Sequence, residues 1–356
     1  MTVLSTRVLN RTYLRRQLLA ERIPRPAAAI VEHLVAVQGQ EPDAPYLGLW
    51  ARSSDFAMAD LTGLLQDRTV VRSALLRGTQ HLCSGADYGW LRPTLQPALE
   101  RMAGRAGRLG GCDPEAFDAV GREILAEGTL TRPEIARRIA ARFPEAELGE
   151  LALVVHLRFA LLHPPPAGTW GHRGRVGCVL AEDWLGRPLA AGPDAETLVL
   201  RYLAAFGPAS VKDVQVWSGL TRLAALFATL RPRLRVFRDE NGMELYDLPD
   251  APIEDADAPA PVVFLPEFDN AVLGHSDRSR ILHPGDRSLV MPGWSMVHPT
   301  VLVDGFVAAT WSRKGPLVEI APFRPLRPVD RSAVEAEAER VVGFVAPGET
   351  PEVRWT

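Results

Sequence analysis

The chain has 356 residues, 47% hydrophobic and 23% charged, with a formal net charge of −3. That balance excludes a disordered, collagenous or coiled-coil chain, and no apolar run reaches the roughly 18 residues of a membrane span. The opening MTVLSTRVLNRTYLRRQ lacks the apolar core of a signal peptide, and Cys83, Cys112 and Cys178 lie too far apart for a disulfide framework or a zinc site. A cytoplasmic, metal-free chain of two or three domains is expected.

Residues 8–20 predict a helix ended by Pro24 and Pro26. A second carries Ile30, Leu34 and Val37 at i, i+4, i+7 and stops near Gln38–Gln40, where Gly39, Pro42 and Pro45 oppose helix. A third helix at 57–67 precedes two β-like runs, Thr69–Leu75 and Gln80–Cys83, joined by Arg77-Gly78-Thr79. Three helices and a hairpin are the element order of a winged helix. A long helix at 85–103 follows.

The order then recurs. Helices are predicted at 114–127, after the capping box Thr131-x-x-Glu134, and at 147–162. Pro164 to Pro166 ends the last, and Trp170–Leu180 reads as a glycine-rich hairpin. A third copy has Val199, Tyr202, Leu203 and Phe206 on one helix face, the N-cap Ser210-x-x-Asp213, a helix at 221–230, and a hairpin turning at Asp239–Gly242. Residues 250–261 form an acidic, proline-rich linker. Beyond it VVFLPEF, ILHPG, SLVMPG, TVLVDGFVAATWS and PLVEIAPF read as short strands of a small barrel or sandwich, closed by a helix at Asp330–Val345. The expected class is mainly α with β. Three winged-helix domains (1–108, 109–192, 193–250) precede a β-barrel-like domain (251–356).

Charge is unevenly spread. Thirty-eight of the forty basic residues are Arg; six fall between Val70 and Arg108 against two acids, and five between Arg222 and Arg238 against none. Asp239–Asp257 then holds eight acids and no base. A basic face on an acidic protein is therefore open to phosphate, which guanidinium binds in bidentate fashion.

Metalloprotease, phosphate-loop, nucleophile-elbow and EF-hand motifs are all absent. What stands out is Val37-Gln38-Gly39-Gln40-Glu41-Pro42-Asp43. On a helix the two amides diverge; on an extended segment they share a face and can converge on one water. Helix capping and loop hydrogen bonds are the plainer use of the same residues. Glu41 and Asp43 are nearby carboxylates, placed either to assist or as solvated loop charges.

The segments VEHLVAVQGQEPDAPYLGLWAR, VVRSALLRGTQHL, FGPASVKDVQVWSGL and FLPEFDNAVLGHSDRSRIL resemble, over nearly the whole chain, the tandem winged-helix DNA glycosylases typified by AlkZ and YcaQ. The resemblance implies a C-shaped clamp on double-stranded DNA, acting as a monomer without a cofactor. It implies excision of bulky N7-alkylguanine, including interstrand crosslinks left by natural-product alkylators, as in self-resistance. Gln38 and Gln40 match the Gln-hydrophobic-Gln motif of the AlkZ branch, whereas the YcaQ branch ends in Asp; Gly39 departs from the bulky middle residue. The implied catalytic pair is Gln38 and Gln40, orienting a water towards a base that is already a good leaving group.

DNA contacts are expected from Arg72, Arg77, Thr79 and His81 on the first hairpin, Arg173 and Arg175 on the second hairpin tip, and Arg278 and Arg280 between later strands. Most would meet phosphate. Trp50 reads as core rather than as a stacking surface. Two other functions fit a winged-helix chain: a DNA-binding regulator, and a protein that sequesters free alkylating drug.

Overall fold

The computed structural model describes residues 2–106, 113–144, 148–293 and 296–356; Cys112 lies outside them, and Cys83 and Cys178 are buried free thiols. Three sheets organise the described residues: one of six strands, one of three and one of five. Among the described residues, no helix is long and apolar enough to cross a membrane.

The first helix, Thr6–Arg16, starts at Ser5, whose hydroxyl accepts from the Val8 amide. It ties the chain's start to its end: Asn10 Nδ2 donates to the carbonyls of Arg280 and Gly305, each at 2.7 Å. The second helix is shorter than its apolar spacing predicts, ending at His33. Val35 takes a positive φ of 66° and turns the chain out. Val37–Gln38 then runs as a strand, with Val37 opposite Leu82 and Gln38 opposite His81. Helix Ala44–Trp50, not expected from the sequence, begins at the prolines that end the loop, because Pro45 occupies a first-turn position where its missing N–H costs nothing.

Strands Val70–Ala74 and Gln80–Ser84 pair as expected, Arg72 opposite Leu82. Their connection needs left-handed backbone at Arg77 (φ 54°) and Gly78 (φ 71°). The second hairpin differs from expectation. The helix expected to reach 162 stops at Arg158, and Leu161–Leu162 is a strand pairing with both Ser73 and Gly177–Leu180. Gly177–Leu180 also pairs with Leu130–Thr131. An apolar run such as FALL fits helix or buried strand alike. The glycine-rich stretch 163–176 is therefore a long connection, not one arm of a hairpin, and a single sheet crosses the expected boundary at 108.

In the third unit, helices Ala195–Phe206, Val211–Ser218 and Ala224–Leu230 precede strands Arg235–Asp239 and Glu244–Asp247. Val3–Leu4 adds a parallel third strand to that pair. Beyond the linker the described residues form no closed barrel: strands Val263–Leu265, Thr300–Val303, Phe306–Lys314, Leu317–Pro322 and Glu352–Trp355 make an open five-stranded sheet. Helix Pro328–Val345 covers it, burying Val334, Ala338, Val341 and Val342 against Phe264, Val301 and Ile320. ILHPG and SLVMPG are turns and short helices rather than strands. The result is a mixed α/β fold, with helix as the larger share.

Candidate active site

The Gln38–Asp43 loop lies where three distant segments meet: its own strand, the 163–176 connection and the turn Pro266–Asn270. Ladder bonds hold it. Gly39 N–H donates to the Gln80 carbonyl at 2.9 Å, and the Gly39 carbonyl accepts from Arg72 Nε at 3.1 Å. Both backbone groups of the small middle residue are thus fixed.

Gln38 is 5% exposed. Its Oε1 accepts the Gln40 N–H at 2.6 Å, closing a tight local ring, and its Nε2 lies 3.4 Å from Thr79 Oγ1. Gln40 is exposed, and its Oε1 accepts weakly from Gln80 N–H at 3.3 Å. The two amides therefore sit within one turn of backbone, one buried and one facing solvent. Each amide oxygen has a second lone pair that no protein donor takes among the described residues.

Behind Gln38 is a cavity of about 10 Å³, close to the space one water needs. Gln38, Arg52, Glu267, Asp269 and Asn270 line it. Arg52 grips Asp269 with two bonds, Nη2 at 2.8 Å and Nη1 at 2.9 Å. Asn270 Nδ2 donates to the Ala36 carbonyl, next to the start of the strand. Glu267 is half-buried, and burial together with the charges of Glu41 and Asp43 pushes its carboxyl up, against a pull from Arg173. None of Glu267, Asp269 or Asn270 was singled out from the sequence. The FLPEFDN segment offered their side chains, but only the fold brings it 230 residues back to the Gln loop.

On the other side, Gln40 opens onto a cleft of about 250 Å³. The 163–176 connection forms its far wall and is tied to the Gln loop: Asp43 accepts from Gly171 N–H at 2.6 Å and from Arg173 Nη2 at 2.9 Å. Asp43 is thus committed to positioning the loop. Trp170 anchors the same connection against Tyr46 (ring centroids 5.6 Å apart) and Phe344. Trp50 stacks on Phe344 under Arg22, as a packing residue.

Several expected DNA contacts lie inside the protein. Arg72 is 6% exposed, bonded to Gly39 and His163, and burial next to Arg132 lowers its guanidinium to about 10. Arg77 is directed inwards, Nη1 on the Trp217 carbonyl, and burial lowers it to about 10. His81 is fully buried and lowered to about 3 by burial, with Nδ1 on the Thr79 carbonyl. Arg280 is buried on the Pro208 carbonyl. In this structure Arg72, Arg77, His81 and Arg280 each bond a backbone carbonyl. Thr79 is half-buried under Gln38, and Arg278 is half-buried with Nε on the Val272 carbonyl. Arg173 and Arg175 are exposed, but on the long connection rather than at a hairpin tip. The five Arg after Leu220 are partly neutralised, Arg231 by Glu244 and Arg233 by Glu196.

No group of three or more His, Cys, Asp or Glu among the described residues stands close enough to hold a metal ion. The Gln loop brings together neutral amides, the carboxyls of Glu267 and Asp269, and guanidiniums.

A family model described as DNA glycosylase AlkZ-like matches residues 31–344. The chain is 26% identical to an interstrand DNA cross-link repair glycosylase from Streptomyces sahachiroi, with 92% of this chain and 93% of that protein covered. The solved structure of the DNA glycosylase AlkZ from Streptomyces sahachiroi matches over the whole of both chains, with a TM-score of 0.83 at 22% identity, a likeness of fold.

Proposed function

Because the chain belongs to the AlkZ-like family of DNA glycosylases, we propose that it hydrolyses the N-glycosidic bond of bulky N7-alkylguanine in double-stranded DNA, with Gln38 and Gln40 placing the attacking water. Unhooking of interstrand crosslinks, the activity in the name of the Streptomyces sahachiroi relative, is the substrate this reading favours. The observation that carries it is the pairing of two fixed amides in one backbone turn, one at the mouth of a cleft and one beside a water-sized cavity.

The chemistry needs little more. Alkylation at N7 makes the base cationic, so the bond to C1′ breaks with its electron pair going to N9, which neutralises the departing guanine. The sugar becomes oxocarbenium-like. Water adds to C1′ and then loses a proton to solvent or to a carboxylate. A neutral amide is a poor base, but its oxygen accepts a hydrogen bond from the water and fixes its line of approach, so catalysis is positioning and dipolar stabilisation. Glu41, Asp43 and Glu267 make the neighbourhood of the loop negative, which suits a cationic base and a cationic sugar. The enzyme would act as a cytoplasmic monomer needing no cofactor. Its three winged-helix units and C-terminal sheet would form a C-shaped clamp on the duplex.

A single-turnover assay on a duplex with one N7-alkyl-2′-deoxyguanosine tests this, alkali cleavage reporting abasic sites. Wild type should release the base, and Gln38→Ala and Gln40→Ala should each be slower by tenfold or more while still binding DNA. A wild-type protein that binds the duplex and releases no base from simple or bulky adducts would overturn the reading in favour of a non-catalytic DNA-binding protein.

A further inference from the structure

We propose that the cleft beside Gln40 is a phosphodiester site, in which Arg132, Arg173 and His163 clasp one backbone phosphate flanking the damaged nucleotide. The inference rests on the glycosylase reading and adds to it the group that fixes the register of the strand.

Charge argues for an anion. Three guanidiniums, those of Arg72, Arg132 and Arg173, line the cleft, and no carboxylate does. Asp43 pairs with Arg173 and takes up part of its charge, Glu134 is held by the amide and hydroxyl of Thr131 at 2.8 and 2.6 Å, and the charge of Glu41 reaches Arg72 and Arg173, so Arg132 is the cation left open among the described residues of the cleft. The same field disfavours the cationic alkylguanine, which belongs on the carboxylate side of the loop. Arg132 is exposed, and its side chain has no hydrogen bond or ion pair among the described residues.

The floor holds a buried, unpartnered donor. His163 is 3% exposed and lines the cleft. Its Nδ1 lies 3.0 Å from Arg72 Nη1. A guanidinium can only donate, so Nδ1 accepts and the proton of the neutral ring sits on Nε2. Burial and the charges of Arg72 and Arg132 keep that ring neutral. Its Nε2 is buried without a protein partner. A buried donor of this kind costs about 1–3 kcal/mol unless something accepts from it. A phosphate oxygen drawn in by the rim cations is such an acceptor, and it reaches Nε2 once a small shift of the cleft floor uncovers that atom.

The register follows from the loop. Gln40 lines the same cleft, so a phosphate held there lies next to the nucleotide whose C1′ the amides face. Arg175 and Arg137 line an adjoining recess with Arg132, three guanidiniums against the carboxylate of Glu134, and continue the track of the strand.

The test uses the full chain and a lesion duplex in which single phosphates around the damaged nucleotide are replaced, one at a time, by neutral methylphosphonates. Affinity is read by anisotropy across a salt series. One methylphosphonate should weaken wild type by about tenfold, and Arg132→Ala should do the same on the normal duplex. The two together should weaken binding no further, and Arg132→Ala should reduce the salt slope by about 0.9. His163→Phe, which keeps a ring on the floor and removes the donor, should show the same loss of response to that one position. Inorganic phosphate at millimolar concentration, added as a separate arm, should compete weakly in wild type and less in Arg132→Ala. Unchanged affinity and slope in Arg132→Ala, or losses that add at every methylphosphonate position, would overturn the site. If wild type neither binds nor excises, the glycosylase reading fails instead.

Discussion

Asp269→Asn measures how firmly the turn beneath the Gln loop is fixed. Asp269 accepts from Arg52 through both oxygens, and its Oδ1 also takes the Ala271 N–H at 2.8 Å. Arg52 is 1% exposed, with further bonds to the carbonyls of Gln17 and Gly48. Asparagine keeps the two bonds at Oδ1, but its Nδ2 meets Arg52 Nη1 donor to donor, and the guanidinium loses its counter-charge in the interior. Breaking one side of a buried pair costs about 3–5 kcal/mol, and the retained bonds place this case near 3. At roughly 2 °C per kcal/mol for a long chain, the thermal midpoint should fall by about 6 °C. Excision by the folded fraction should also slow several-fold, because Glu267 and Asn270 share the turn and face Gln38. Scanning fluorimetry and urea unfolding read the first effect, single-turnover kinetics at a permissive temperature the second. The double variant Arg52→Met with Asp269→Asn should recover much of the stability. A midpoint within 1 °C of wild type for Asp269→Asn alone would refute the argument that this pair holds the turn.

Gly39→Ala should fold and excise at least as well as wild type, because its Cβ would stand 3.5 Å from Leu82 Cγ and 3.7 Å from Pro45 Cγ, ordinary contact distances. Stability should change by under about 1 kcal/mol, and a tenfold loss of excision would show that the loop needs glycine. Acidification should destabilise the protein through its buried histidines. His81 and His156 are each lowered to about 3 by burial, so between pH 6.5 and 3 the unfolded chain binds their protons and the folded one does not. Stability is then complete above the ordinary histidine range and lost as pH falls through it; a urea midpoint that stays flat from pH 7 to pH 4.5 would contradict this. Asp43→Ala should leave the thermal midpoint within about 2 °C, since exposed ion pairs contribute about 0–1 kcal/mol. It should nevertheless speed hydrogen exchange at residues 168–176, because Gly171 N–H loses its acceptor; unchanged exchange there would mean that Trp170 alone holds the connection.

Local rules carried the sequence reading where neighbours in the chain decide the outcome. The Thr131–Glu134 and Ser210–Asp213 capping boxes, the turn at Arg77–Gly78 and the Asp239–Gly242 hairpin all depend on residues within five positions. The reading failed where a distant partner decides. Leu161–Leu162 is a strand because Ser73 and Gly177–Leu180 lie alongside, and without them the run continues the helix before it. The barrel failed for a related reason: ILHPG and SLVMPG are punctuated like strands, yet they form turns and short helices. Arginine misled most. Its default is exposure, and nothing within a few residues of Arg72 or Arg280 marks it as a brace for a buried carbonyl. The nearness of Gln38 and Gln40 was legible because it is local to one turn, while the nearness of Glu267 and Asp269 to Gln38 was not, because it exists only in three dimensions.

The distribution of charge around that turn explains why neutral amides suit it. Glu267 and Asp269 stand with Gln38 at the cavity, and Arg72 and Arg132 line the cleft beside Gln40. A carboxylate at position 40 would meet those guanidiniums, which stabilise its ionised form and weaken it as a base, and it would compete with a phosphate for them. A cation at position 38 would be drawn to Glu267 and Asp269, away from the sugar. An amide has no net charge for either field to pull, and it still presents an acceptor to water. In the proposed mechanism the loop would then sit at the boundary between a side suited to phosphate and a side suited to a cationic leaving group, and hold a water between them.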